Sequence, residues 1–129
     1  MIVIDSSAIL ARALHEPGWA DIQARISSAS VVAISASTLA ETLIVSRRRG
    51  IGDAVADFLT SLTIEVVPVT ADTARAVADA YDRWGKGVHP AGLNFADCFA
   101  YALAMERQCP LLFAGEDFAK TDVAAALPS

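Results

Sequence analysis

The chain has 129 residues, 54% of them hydrophobic, and 10 Lys and Arg against 15 Asp and Glu give a formal net charge of −5. That length holds one domain with a sizeable core over residues 1–129, and the apolar excess predicts surface reserved for a partner or a second copy. The acidic balance excludes loose global attraction to nucleic acid but leaves room for a local basic groove, and no window approaches the roughly 18 uninterrupted apolar residues of a membrane span.

Met1-Ile-Val-Ile-Asp5 is an apolar run ended by an acid, the pattern of a strand buried on both faces of a parallel sheet. It opens the chain with no basic region or cleavage site before it, so a soluble cytoplasmic protein is expected. Ser6 to Leu14 then reads as a short helix, and Glu16-Pro-Gly breaks the chain before a second helix over Trp19 to Ile26. Ser30 to Ile34 is the next strand and Ser35 to Ser37 a turn. The following helix begins near Thr38, carries Glu41 and stops at Arg47-Arg-Arg-Gly50, with cations at its negative end.

Asp53 to Leu62 is helical, and Ile64 to Val69 is a third strand that Pro68 confines to an edge. Thr70 caps a long amphipathic helix to about Trp84. Gly85 to Gly92, with three glycines and a proline, is expected to be the most mobile segment. Leu93 to Ala104 is a helix that is apolar on almost every side, which predicts burial, yet it carries Asp97 three residues after its N-cap, Asn94. Cys98 and Cys109 read as free thiols of a reducing compartment. Pro110 to Phe113 supplies a fourth strand, followed by Gly115-Glu-Asp117 and a weakly patterned tail in which a fifth strand is not evident. Strands separated by helices predict an α/β/α sandwich around a central parallel sheet of four to five strands.

Loops leaving the carboxyl ends of parallel strands open on one edge, where ligands bind. Asp5 follows the first strand, Glu41 the second and Asp117 the fourth, while the helix that returns to the fourth strand starts at the same edge with Asp97. Chain direction alone therefore gathers four acids. Two carboxylates about 5 Å apart repel by about 3 kcal/mol at an effective dielectric near 20, so some must protonate or a cation must sit among them. Oxygen donors with no histidine or thiol point to Mg²⁺ or Mn²⁺ rather than zinc, and to phosphodiester hydrolysis. The competing reading makes the acids helix caps: Thr38-Leu-Ala-Glu41 matches a capping box, Asn94-Phe-Ala-Asp97 approximates one, and Asp5 and Asp117 fit N-cap positions.

Four motifs in order, Ile2-Val-Ile-Asp5-Ser6-Ser7-Ala8, Ser37-Thr-Leu-Ala-Glu41, Leu93-Asn-Phe-Ala-Asp97-Cys98 and Leu111-Leu-Phe-Ala-Gly-Glu-Asp117-Phe, carry a resemblance to the PIN-domain ribonucleases, and within them to the VapC-type toxins. The resemblance implies a PIN-like fold and a Mg²⁺- or Mn²⁺-dependent endoribonuclease with Asp5, Glu41, Asp97 and Asp117 as metal ligands and Ser6 or Ser7 near the site. It also implies cleavage of structured RNA such as tRNA or rRNA, inhibition of translation, a homodimer and a cognate VapB-type antitoxin. Glu116 departs from the shorter polar residue that relatives often carry there.

Lys86 and His89, in the glycine-rich loop, and Ser6, Arg12 and Lys120, near the acidic rim, are the candidates for contact with RNA. His15 reads as a helix-end residue, Arg47 to Arg49 as a helix C-terminal complement, and Trp19, Trp84 and Tyr101 as packing residues. The rival functions are a receiver-like signalling domain and a non-catalytic binding module whose acids are caps. The first needs an acceptor aspartate ending the third strand, where this chain reads Pro-Val-Thr70.

Overall fold

The protein's structure, a computed structural model, describes residues 1–128, so Ser129, the last residue of the expected domain, lies outside it. Four strands, β1 (Ile2–Ile4), β2 (Val32–Ser35), β3 (Ile64–Val67) and β4 (Leu111–Leu112), form one sheet in the order β3-β2-β1-β4, every neighbouring pair parallel. Among the described residues six α-helices surround it: α1 (Ser6–Ala13), α2 (Trp19–Ser28), α3 (Ala36–Arg48), α4 (Gly52–Ser61), α5 (Ala71–Trp84) and α6 (Phe95–Arg107).

The strands alternate inward residues between two cores, as a period of two requires. Ile2, Ile4, Val32, Ile34 and Leu112 pack with α1, α2 and α4 on one face. Val3, Ala33 and Leu111 pack with α5 and α6 on the other. The expected sandwich is thus present, with β1 fully buried at its centre. β3 stops at Val67, immediately before Pro68, and lies at the sheet's edge. Beyond β4 the tail contributes one parallel bridge, Leu111 with Ala125, through Leu111 N–H to the Ala124 carbonyl and Ala126 N–H to the Leu111 carbonyl. A fifth strand is begun there and not continued. No helix among the described residues is long and apolar enough to cross a membrane.

Two expectations are corrected. Helix α3 starts at Ala36 rather than near Thr38, because the Ser35 hydroxyl accepts from Ser37 N–H and caps it directly from the end of β2. The segment from Gly85 to Gly92, expected to be the most mobile, is instead closed on itself. Lys86 N–H donates to the Leu93 carbonyl, Leu93 N–H to the Trp84 carbonyl, and Ala91 N–H to His89 Nδ1. Beneath it, Trp84 Nε1 donates to the Tyr101 hydroxyl, which donates at 2.5 Å to Asp122, so α5, α6 and the tail are bonded together under the loop.

Gly85 makes the close turn out of α5 possible. A β-carbon there would collide with the Tyr81 carbonyl oxygen and stand 2.8 Å from the Tyr81 ring. Gly85→Ala is therefore expected to destabilise the fold by about 1–3 kcal/mol through overpacking, read as a lower urea midpoint at an unchanged slope. A midpoint equal to that of the wild type would show that this turn relaxes freely.

Candidate functional site

Three of the four acids follow strands, Asp5 after β1, Glu41 in α3 after β2 and Asp117 after β4, and Asp97 lies in the first turn of α6. Asp5 ends β1 and caps α1: Oδ2 accepts from Ser7 N–H at 3.0 Å and from the Ser7 hydroxyl at 2.6 Å. The same Ser7 hydroxyl accepts from Ala114 N–H at 3.1 Å, joining the end of β1 to the segment that carries Asp117. Asp5 is 2% exposed, and its other oxygen, Oδ1, is buried with no hydrogen-bond partner. A buried unsatisfied carboxylate oxygen is costly. Burial accordingly pushes the Asp5 carboxyl above the ordinary range against the lowering effect of Ser7 and Ser6.

Glu41 lies in the second turn of α3 and does not make the expected capping box with Thr38, whose hydroxyl is buried without a partner. Its Oε1 accepts from the Ser6 hydroxyl at 2.8 Å, a bond spanning 35 residues of sequence. The helix therefore turns Glu41 toward α1 instead of back on its own N-terminus. Burial raises its carboxyl, the Ser6 bond lowers it, and the charge of Asp5 raises it again.

Asp97 does make its capping box: Asn94 Oδ1 accepts from Asp97 N–H at 2.9 Å and Asp97 Oδ2 accepts from Asn94 N–H at 3.0 Å. It is half-buried at the start of α6. Its carboxyl is pushed up to about 6, first by burial, against the Asn94 bond, and then by the charges of Asp5, Glu41 and Asp117. Asp97 thus lies in the field of three acids from other segments of the chain, and Glu41 in that of Asp5. Burial and the neighbouring Asp97 charge also push the free, buried Cys98 thiol up to about 11, which keeps it a neutral packing group. Asp117 precedes a 3₁₀ turn, Phe118–Lys120, is exposed, and makes no side-chain cap.

The residues expected near RNA separate. Lys86 and Lys120 are exposed. The others have partners within the chain. Ser6 is buried and serves Glu41. The Arg12 guanidinium lies 4.0 Å over the Phe58 ring and donates to Gln23, tying α1 to α2 and α4. His89 closes its own loop through Nδ1 and meets the Trp84 ring edge-on at 4.7 Å. Glu116 is exposed. His15 has a φ of 50° at the end of α1 and stacks on Trp19, as a helix-end residue would.

A cation fits this set in chemistry more than in closure. Among the described residues, no three His, Cys, Asp or Glu side chains stand close enough to share one ion. Unneutralised carboxylates hold each other apart. The donors are nevertheless all hard oxygens, the charges are mutually unfavourable, and Asp5 Oδ1 lacks any partner. These are the features that a divalent cation satisfies.

Comparison with known proteins agrees with the architecture and the motifs. The model of the PIN domain matches residues 2–124. The chain is 43% identical over 127 residues to Ribonuclease VapC of Mycolicibacterium smegmatis, covering 96% of this chain and 98% of that one. It is 40% identical over 131 residues to Ribonuclease VapC30 of Mycobacterium tuberculosis, covering 98% and 100%. The fold superposes on the crystal structure of Mycobacterium tuberculosis VapC20, described as a Sarcin-Ricin loop cleaving toxin, with a TM-score of 0.78 at 21% identity, covering 99% of this chain and 100% of that one. It also superposes on a chain of a toxin-antitoxin complex from Klebsiella pneumoniae, with a TM-score of 0.69 at 17% identity, covering 95% and 93%. With the domain matched almost end to end and such relatives spanning its full length, this chain belongs to the PIN-domain family, among the VapC ribonucleases.

Proposed function

We propose that the chain, acting as a single domain, is the toxin of a toxin–antitoxin pair. It hydrolyses phosphodiester bonds of structured RNA, tRNA or rRNA, in the cytoplasm, inhibits translation, acts as a homodimer and is neutralised by a VapB-type antitoxin. The names of the relatives and the toxin-antitoxin complex among its structural neighbours support the RNA-cleaving and antitoxin-binding parts of this reading. The observation that carries the chemistry is Asp97, half-buried at the start of α6 in the field of three acids drawn from distant segments, its carboxyl raised first by burial and then by their charges. Pure capping does not account for Glu41, which bonds to Ser6 and to no backbone N–H.

Asp5, Glu41, Asp97 and Asp117 would hold Mg²⁺ or Mn²⁺, and the chemistry such an ion supplies when bound is Lewis acidity toward phosphoryl oxygen and water. The chain's own contributions are positional. Ser7 fixes Asp5 by Oδ2 and leaves Oδ1 open, Ser6 fixes Glu41 by Oε1, and the Asn94 box fixes Asp97 by Oδ2. Asp5, Glu41 and Asp97 thus each have one oxygen held and the other without a bond within the chain, while Asp117 makes no side-chain cap.

Titrating Mn²⁺ while following thermal unfolding tests the reading. Binding to the native state alone stabilises by about 2.7 kcal/mol at a concentration 100 times Kd, so Tm is expected to rise for the wild type and much less for Asp5→Asn. A flat Tm across the series, with no cleavage of total tRNA or rRNA, would overturn it.

A further inference from the structure

Phe95, the first residue of α6, is 69% exposed although the helix it begins is buried from Cys98 to Ala104. Its ring is not loose: it meets Phe99 edge-to-face at a centroid distance of 5.1 Å and 83°. It walls a cavity of about 500 Å³ between the end of α5 and the start of α6, together with Val77, Tyr81, Asp82, Lys86 and Asn94. That volume lies within the range of small-ligand sites, about 300–1,000 Å³.

The wall of the cavity is tied to one of the acids through a bonded unit. Asn94, in its wall, and Asp97, two residues past Phe95, exchange both bonds of the capping box. Whatever lies against Phe95 is therefore held in register with Asp97.

The charge inventory decides which occupant suits it. Of the 10 Lys and Arg, five arginines are engaged within the chain: Arg12 with Gln23, Arg25 with the Ala126 carbonyl, Arg75 with Asp72, Arg83 with Asp122 and Arg107 with Glu65. Three more close the end of α3 remote from the acids. Lys86 and Lys120 remain, both exposed, Lys86 in the cavity wall and Lys120 three residues past Asp117. An acidic protein with so few free cations cannot hold RNA chiefly by its phosphates, whose attraction requires several neutralising contacts. Stacking on aromatic faces supplies affinity that does not depend on net charge. Resting on the nuclease reading above, we propose that this cavity receives an unpaired nucleotide of the RNA substrate, its base against the Phe95 ring and its phosphate facing Lys86. Unpaired bases are the parts of structured RNA that can splay out to stack in this way. Asp82 sets a limit on the charge the cavity accepts, favouring one phosphate over a polyanionic run.

The test uses the full chain and an RNA that the wild type cleaves, with binding measured in EDTA so that the RNA is held without being cut. Phe95→Ala is expected to weaken binding about 5- to 100-fold, and in cleavage with the divalent cation restored to raise KM while leaving kcat near that of the wild type. Phe95→Trp is expected to keep both values near those of the wild type and Phe95→Leu to behave like the alanine variant, since an aliphatic chain fills space without offering a π-face. Equal RNA affinity in the wild type and Phe95→Ala, with the wild type cleaving normally, overturns this inference alone. Sedimentation equilibrium provides a second arm. A shift of Phe95→Ala from dimer to monomer would assign the face to a second copy of the chain and likewise overturn the proposal. A wild type that cleaves no RNA removes the nuclease reading, and this inference with it.

Discussion

Replacing Asp97 with asparagine is expected to reduce RNA cleavage at least about 100-fold while leaving the fold intact. The activity figure follows from losing a charged ligand, a change of about 3 kcal/mol or more in transition-state stabilisation. The intact fold follows from the capping box. An amide oxygen at position 97 can still accept from Asn94 N–H, and Asn94 Oδ1 still accepts from the backbone N–H of residue 97. Because Asp97 also sits in the field of Asp5, Glu41 and Asp117, removing its charge relieves repulsion, and metal-free stability should hold or rise. Asp97→Ala separates the two roles. It is expected to lose activity equally and about 1 kcal/mol of stability besides, through the missing cap. If Asp97 were only a cap, the asparagine variant would cleave RNA like the wild type in end-mapping assays, and only the alanine variant would differ, in its melting temperature.

The residues that carry this argument differ in how legible they were. Asp5 and Asp97 could be read directly, since a strand ended by an acid and an Asn-x-x-Asp helix start are local patterns, and both made the expected caps. Glu41 was placed at the edge by chain direction, and it is the competing capping-box reading of its local sequence that fails. Thr38-Leu-Ala-Glu41 has the spacing of a capping box, yet Ser35 had already capped α3, which moved Glu41 into the second turn and toward Ser6. That partner is 35 residues away, so no local pattern could name it. Phe95 shows the opposite failure. Within an apolar run it counted as core, and only the packing of α5 beside α6, which covers Phe99 but not Phe95, decides that it is exposed. The glycine-rich loop misled for a similar reason: composition measures conformational freedom, whereas the bonds from Lys86 and Leu93 that close the loop are tertiary.

Without divalent cations, the protein is expected to become less stable as pH rises from about 4 to 7, the reverse of ordinary acid denaturation. Asp97 has an ordinary value of 3.8 and is held at about 6 in the fold. Between these values the native state binds a proton that the unfolded chain has released, so the stability it contributes is complete below 3.8 and is lost as pH passes through about 6. Asp5 and Glu41 are shifted in the same direction, by burial first. Asp97 is only half-buried, and after allowance for solvent screening its share is about 1–2 kcal/mol. Glu65, held below its ordinary 4.5 by the Arg107 bond, has the opposite sign, but its contribution is mostly present by pH 5, so it bears on the acid end of this window and little on the comparison of pH 5 with pH 7.5. Urea unfolding in EDTA at pH 5 and pH 7.5 reads the effect directly. The midpoint should be higher at pH 5, and the difference should shrink in Asp97→Asn. Saturating Mn²⁺ should shrink it in the wild type too, because a bound cation stabilises the carboxylates in their charged form. A midpoint that rises from pH 5 to pH 7.5 in EDTA would mean that these acids are already compensated by the protein itself, and the electrostatic reason for placing a cation among them would be gone.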